Sequence, residues 1–314
     1  MRVAILCSRP GWHTTGLVEA FSRRGHIAVV LPYERLVATI GGASGSTLTA
    51  DGTPLLAGGP GGAHVDLVLP RIIPGGSLEQ VIARVDTLHW LEASGVRVVN
   101  PPRAIERCVD KFYTTALLAR AGLPVPETTV CQRVDDAIAA VRRLGQVVLK
   151  PIFGAMGQGL VRLDDPDVAW RVLRTLDLTR PVYYVQQAIA HDGWDVRVFV
   201  AGGRVVGAIR RHAAEGEWRT NVARGGRAEA LDPPGLSDDW ASLALAATAA
   251  VGADYAGVDL LPGRDGQTYV LEVNAIPAWR GLQEATGIDV AGQVADVALA
   301  GSAATDARAS GARS

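Results

Sequence analysis

Short apolar runs alternate along this chain with stretches whose apolar residues recur three and four positions apart. Residues 3–6 and 27–31 read as buried strands. Between them residues 15–24 set Leu17, Val18 and Phe21 at helical spacing and stop at Gly25. A strand at 66–69, a helix at 77–94 and a strand at 96–99 continue the alternation. The pattern predicts an α/β unit over residues 1–100, a parallel Rossmann-like sheet with right-handed crossovers. Its first turn, Cys7-Ser8-Arg9-Pro10-Gly11, lacks the glycine fingerprint of a dinucleotide site. Residues 41–63 hold eight glycines and few large side chains, and read as an excursion around a small hairpin turning at Asp51-Gly52.

Asn100-Pro101-Pro102 marks a boundary, after which the pattern becomes α+β. Helices are predicted at 111–121 and 134–144, each closed by a glycine, with an extended Leu123-Pro124-Val125-Pro126 between them. Strands follow at 147–150, 159–162, 182–186, 196–200 and 205–209. A helix at 238–251, two strands and a short helix from 289 complete the chain. The reading divides the chain into residues 1–100, 101–186 and 187–300. Residues 301–314 carry no aromatic or large aliphatic side chain and read as a disordered tail.

Composition narrows the function classes. With 31 basic and 32 acidic residues the formal net charge is −1, which offers no electrostatic footprint for nucleic acid or a membrane surface. Three cysteines without a C-x-x-C pair argue against a disulfide framework or zinc site and point to a reducing, cytoplasmic setting. No apolar run reaches the length of a membrane span. Partners should be small molecules.

Four constellations carry chemistry. The strand at 147–150 delivers Lys150 directly before Pro151 and a loop containing Gly154, Gly157 and Gly159; glycines let backbone N–H groups approach anionic oxygens, and the lysine supplies a point charge. Lys111, at a helix start, gains meaning only from this company. In the last strand pair, Asp259 and Glu272 both lie six positions out from the favoured Asp265-Gly266 turn, so they should face each other. Like charges opposed in a sheet are destabilising, and a cation between them resolves the conflict. Asn274 shares the face of Glu272, giving the all-oxygen set that suits magnesium. Finally Asp195-Val196-Arg197, Arg210-Arg211 and Arg219-Thr220-Asn221 bring arginines that can clamp a phosphoryl group; strand alternation lets only one of Arg210 and Arg211 face it.

Lys111, the Lys150 loop and Asp259…Glu272-x-Asn274, in that order, resemble the ATP-grasp superfamily, and specifically RimK-like α-L-glutamate ligases. Leu69-Pro70-Arg71-Ile72, Val185-Gln186-Gln187, Arg219-Thr220-Asn221-Val222-Ala223-Arg224-Gly225-Gly226 and Thr286-Gly287-Ile288-Asp289 extend the likeness over nearly the whole chain. The resemblance implies a pre-ATP-grasp N-terminal domain followed by a two-subdomain ATP-grasp fold. It implies that Lys111 and Lys150 contact ATP phosphates, that Gln187 and Ala188 border adenine, and that Asp195 lies near the ribose. Arg219, Thr220 and Asn221 would complete the nucleotide site, with Arg211 on the γ-phosphate and acyl phosphate. Asp259, Glu272 and Asn274 would hold one or two magnesium ions, with manganese a substitute. The implied reaction joins an amino acid, L-glutamate, to a carboxylate acceptor through an acyl phosphate, the acceptor being a pterin-type coenzyme or a protein C-terminus. Ligation to an amino-group carrier protein in lysine or arginine biosynthesis, an ATP-grasp kinase and a non-catalytic nucleotide-binding module are the alternatives. A homo-oligomer is compatible with the family.

Departures from its pattern are Gln187 in place of glutamate, Ala188 in place of a bulkier residue and Ala155 where serine or threonine is frequent. Trp279-Arg280, after the metal motif, is similar to members that glutamylate pterin coenzymes.

Overall fold

The structure, a computed structural model, describes residues 1–41, 45–56, 64–154, 157–220, 225–231 and 235–311. The chain opens with β1 (Arg2–Leu6), α1 (Trp12–Arg23) and β2 (Ile27–Leu31). A small antiparallel sheet of β3 (Leu36–Thr39), β4 (Thr47–Ala50) and β5 (Thr53–Pro54) follows, then β6 (Leu67–Pro70), α2 (Leu78–Ala93) and β7 (Arg97–Val98). The predicted hairpin is present: Ala50 pairs with Thr53, and Asp51 and Gly52 both take positive φ, as a two-residue primed turn requires. Strands β1, β2, β6 and β7 form a parallel sheet in the order β2-β1-β6-β7. Val3 to Leu6 are fully buried because both faces of this sheet are covered.

The middle of the chain comprises α3 (Pro102–Val109), α4 (Lys111–Arg120), β8 (Thr128–Cys131), α5 (Val134–Leu144), β9 (Val147–Lys150), β10 (Val161–Leu163), α6 (Pro166–Asp177) and β11 (Tyr183–Gln187). The sheet is antiparallel, ordered β10-β9-β11-β8. Helix α6 is absent from the expectations above, although its signals are present. Asp165 caps it by accepting from the amides of Asp167 and Val168, Pro166 starts it, and Ala169 and Leu173 are buried at i, i+4 spacing.

The last part holds β12 (Trp194–Ala201), β13 (Arg204–His212), β14 (Arg227–Leu231), α7 (Asp238–Val251), β15 (Tyr255–Pro262), β16 (Thr268–Asn274), α8 (Arg280–Thr286) and α9 (Val290–Gly311). Its sheet runs β14-β13-β12-β15-β16, all antiparallel. Strand β14 and helix α8 are additions to the expected elements. Helix α9 continues through residue 311, where the sequence suggests a disordered tail; alanine has the highest intrinsic helix propensity. No helix among the described residues is long and apolar enough to cross a membrane.

The expected boundary at Asn100 is a packed joint. The first and last sheets share cores: Val3, Ile5 and Leu69 pack with Phe199, Tyr255 and Trp279, whereas α5, α6 and the middle sheet enclose their own. Asn100 is completely buried, and its amide nitrogen donates to the carbonyls of Tyr255 (2.8 Å) and Ala275 (2.5 Å). Its oxygen accepts from the amides of Asp254 (2.6 Å) and Tyr255 (3.0 Å). One side chain therefore satisfies four backbone groups beside β15 and β16. Asn100→Ala strands them in the interior and should cost about 2–4 kcal/mol in denaturant unfolding, a few times the net worth of one hydrogen bond. A loss below 1 kcal/mol would show that water replaces the amide.

Candidate active site

One face of the last sheet carries a row of charges across four strands. Asp195 and Arg197, two apart on β12, share that face; Arg211 on β13 pairs with Asp195, Asp259 on β15 with Arg197, and Glu272 on β16 with Asp259. Further along the same face β12 and β15 turn apolar, with Phe199, Ala201 and Tyr255 in the shared core. The charges thus sit where the sheet emerges from that core.

The Asp259–Glu272 pairing expected from the turn is present, by a less direct route than counting suggests. The loop takes three residues, because Gly263 donates to Gln267 O at 2.8 Å, so Leu260 pairs with Val270. A bulge between Asp259 and Leu260 then restores the register and brings Asp259 opposite Glu272. Bulges recur beside functional sites because they re-aim a side chain.

Arginines neutralise most of this row. Arg211, almost fully buried, holds Asp195 through Nε (2.7 Å) and Nη2 (2.5 Å) and reaches Asp259 at 3.0 Å; Thr220 also donates to Asp195. Arg197 grips Asp259 in a two-pronged contact, both distances 2.7 Å. Burial raises the Asp259 carboxyl, and the guanidinium groups of Arg197 and Arg211 overcome it and hold it at about 2. Glu272, by contrast, has no hydrogen bond or ion pair among the described residues. Arg210 points to the other face, over the Trp194 ring at 4.5 Å, as alternation requires.

The middle sheet supplies the opposite wall. Lys150 closes β9 and donates to Gln186 Oε1 at 2.6 Å; Gln186 is fixed in turn by Thr128 (2.9 Å) and the Tyr184 hydroxyl (3.0 Å). Burial pulls the Lys150 ammonium down to about 8 against the pull of Glu272; Lys111 adds to the fall and Asp259 opposes it. Lys111, placed at the start of α4 by the Asp110 cap, donates to Gly154 O at 2.7 Å. A Cβ at Gly154 or Gly159 would lie 3.2 Å from Pro151 Cγ, which is why this loop needs small residues. Arg219 is held by Glu217 at 3.0 and 2.6 Å and reaches Gly157 O at 3.4 Å. It thereby bridges the two walls.

Between the walls lies a cleft lined by Lys111, Lys150, Gly154, Gly157, Gln187, Ala188, Asp195, Arg211, Arg219, Thr220, Asp259 and Glu272, twelve of the residues singled out from the sequence. Gly159 packs on Pro151 and Asn274 pairs with Gly257; neither lines the cleft. Asn221, like Ala155, falls outside the described residues. Sequence reasoning gave no site role to Gln186, Arg162, His191 and Trp218, which also line it. Gln186 was recoverable as the polar residue on an otherwise buried strand. Trp279 does not line this cleft: it is 1% exposed, wedged between the His13 ring (4.8 Å) and the Arg71 guanidinium (4.4 Å). Arg280 alone of that pair faces outward, bonded to Glu284 at 2.7 Å.

Chemically, the cleft offers several cations toward a polyanion and an apolar slot of Val148, Ile189, Leu261 and Leu271 for a planar ring. Two opposed carboxylates stand beside the cations. Glu272, half-buried without a partner among the described residues, is a free oxygen donor where Asp259 already points, which fits a magnesium ion completed by phosphate oxygens.

Residues 108–298 match the RimK-like ATP-grasp domain. The tetrahydromethanopterin:alpha-L-glutamate ligase of Methanosarcina acetivorans is 33% identical over 309 residues, covering 89% of this chain and 93% of that one. The RimK domain protein ATP-grasp of Sphaerobacter thermophilus superposes with a TM-score of 0.70 at 26% identity, covering 95% of this chain and all of the other. ATP-grasp ligase PsnB, complexed with minimal precursor, Mg and ADP, shares the fold, with a TM-score of 0.70 at 24% identity and coverage of 96% and 98%.

Proposed function

This chain belongs to the RimK-like ATP-grasp family, and we propose that it uses ATP to join the amine of L-glutamate to a carboxylate acceptor. The observation that supports this most is the convergence of Lys111, Lys150, Arg211, Asp259 and Glu272 on one cleft between two sheets. The relatives' naming as glutamate ligases favours glutamate over the amino acids of a carrier-protein pathway. We read the parallel sheet of residues 1–100 as the Rossmann-like pre-ATP-grasp unit, and the two antiparallel sheets as the subdomains that enclose the nucleotide.

In this mechanism the acceptor carboxylate oxygen attacks the γ-phosphorus of ATP, and the bond to the β-phosphate oxygen breaks. The amine then attacks the acyl carbon and phosphate leaves. Lys150, held by Gln186, and Lys111 bind phosphate oxygens; Arg219, oriented by Glu217, binds from the other wall. Arg211 faces the transferring phosphoryl group, whose charge needs donors from several directions. Asp259 and Glu272, with Asn274 behind them, would hold magnesium, which when bound neutralises phosphate charge. No enzyme nucleophile is required: the chain positions reactants and excludes water from the acyl phosphate.

The test is incubation with ATP, magnesium, glutamate and a panel of carboxylates, with product mass recorded. Hydroxylamine should intercept the acyl phosphate when glutamate is omitted, releasing phosphate and giving a hydroxamate. ADP formation with a phosphorylated product stable to hydroxylamine would establish a kinase instead.

The low Lys150 value gives a pH signature. Above about pH 8 the free protein holds this amine neutral, so binding ATP there must take up a proton, and affinity should fall by up to tenfold per pH unit. For folding, the group drops from 10.5 in the unfolded chain to about 8. Between those values the unfolded state binds the extra proton, so this group's contribution to stability rises with pH. Calorimetry in buffers of different ionisation enthalpy measures the uptake; none at pH 8.5 would place Lys150 away from the phosphates.

A further inference from the structure

The two opposed carboxylates are treated unequally. Both oxygens of Asp259 already accept from guanidinium groups, Oδ1 from Arg197 and Oδ2 from Arg197 and Arg211, while Glu272 has no such partner among the described residues. Arg211 has a second anion in Asp195 and a phosphoryl group to turn to. Arg197 does not. Its side chain is 19% exposed, it does not line the cleft, and among the described residues Asp259 accepts both of its hydrogen bonds. Gly257, two residues before Asp259 on β15, lies beside the Arg197 stem: a Cβ there would make ordinary contact with Arg197 Cδ at 3.9 Å and crowd Pro277 Cβ at 3.0 Å.

We infer that Arg197 is a positioning residue that serves as the resident counter-cation of Asp259, aiming the carboxylate in the metal-free protein and competing with the divalent ion for it. The inference rests on the metal site proposed above. A divalent ion joining Asp259 meets two guanidinium charges already within 3.0 Å of the same carboxylate, and like charges at that range repel strongly in a buried site. Nucleotide phosphates remove the conflict by drawing Arg211 away and supplying negative charge. The metal should therefore bind weakly to the free protein and tightly once nucleotide is present.

A purely structural Arg197 and a competing one give opposite signs. If Arg197 merely props up the site, its removal disorders Asp259 and weakens metal binding. If it competes, removal tightens binding to the nucleotide-free protein. Binding of Mn2+, followed by its electron paramagnetic resonance signal, should tighten about tenfold in Arg197→Met without nucleotide, and change less than threefold with ADP present. Arg197→Lys, which keeps charge but loses the two-pronged grip, should tighten binding about threefold and serves if the methionine variant fails to fold. Unchanged or weaker Mn2+ binding in the folded variant overturns the inference, as does wild-type binding equally tight with and without ADP. Glu272→Gln separates the two levels of argument. If Mn2+ binding ignores that change, the metal site is misplaced and the functional reading falls with it. If binding needs Glu272 yet ignores Arg197, only this inference fails.

Discussion

Glu272→Gln should lower ATP-dependent product formation by about 10³-fold or more while shifting the melting temperature by no more than a few degrees. The two halves of that expectation have separate causes. Glu272 makes no hydrogen bond or ion pair among the described residues, so folding loses no partner when its charge is removed. Its cross-strand neighbour is Asp259, and relieving that like-charge contact should if anything stabilise the sheet. Glutamine keeps the volume and one oxygen. What disappears is half the carboxylate charge offered to a divalent ion and part of the field that keeps Lys150 protonated. Removing single electrostatic elements from enzyme sites costs 10²–10³ in turnover, and loss of a metal ligand lies at the upper end. Lys150→Ala should fall comparably, with Gln186 Oε1 losing the ammonium that donates to it. ADP release and thermal melting on the same preparation decide the matter. Normal turnover by Glu272→Gln would remove the metal from this position.

That the sequence led to Glu272 shows what local pattern can carry. Strand alternation sufficed to separate Arg211 from Arg210 and to put Asp259 and Glu272 on one face, since a period of two depends only on the backbone. The turn count reached the correct pairing because two irregularities cancel, a three-residue loop and a bulge one step before the carboxylate. Neither leaves a mark in residue spacing. Helix α6 had a legible cap and a buried spacing that strand-dominated surroundings obscured. Long-range facts were out of reach for a different reason. That Asn100 ties four backbone groups of a segment more than 150 residues away, or that the first and last sheets share a core, follows from which surfaces meet. Apolar runs say that a strand is buried and leave open against what. Arg197 illustrates the middle case: its place two residues beyond Asp195 fixes its face, but only the pairing of β12 with β15 gives it Asp259.

Arg211→Met should be damaging twice over. Its guanidinium is 4% exposed and bonds Asp195 through two nitrogens and Asp259 through one of them. Methionine fills most of the space and removes the charge, leaving Asp195, itself 2% exposed, with the Thr220 hydroxyl as its one partner among the described residues. Breaking a buried pair by deleting one partner costs about 3–5 kcal/mol, a large share of a protein's marginal stability. Asp259 suffers less, because Arg197 remains. Chemistry should fall by 10² or more as well, since the lost donor is the one facing the transferring phosphoryl group. Low activity alone would not separate these effects, so Arg211→Lys provides the contrast. A lysine keeps one positive charge near Asp195 but cannot span both its oxygens and Asp259 together. It should recover more than half the lost stability in urea unfolding while recovering little of the rate. If rate and stability return together, Arg211 acts through the architecture of the sheet; if stability returns alone, the guanidinium is needed for the phosphoryl group itself.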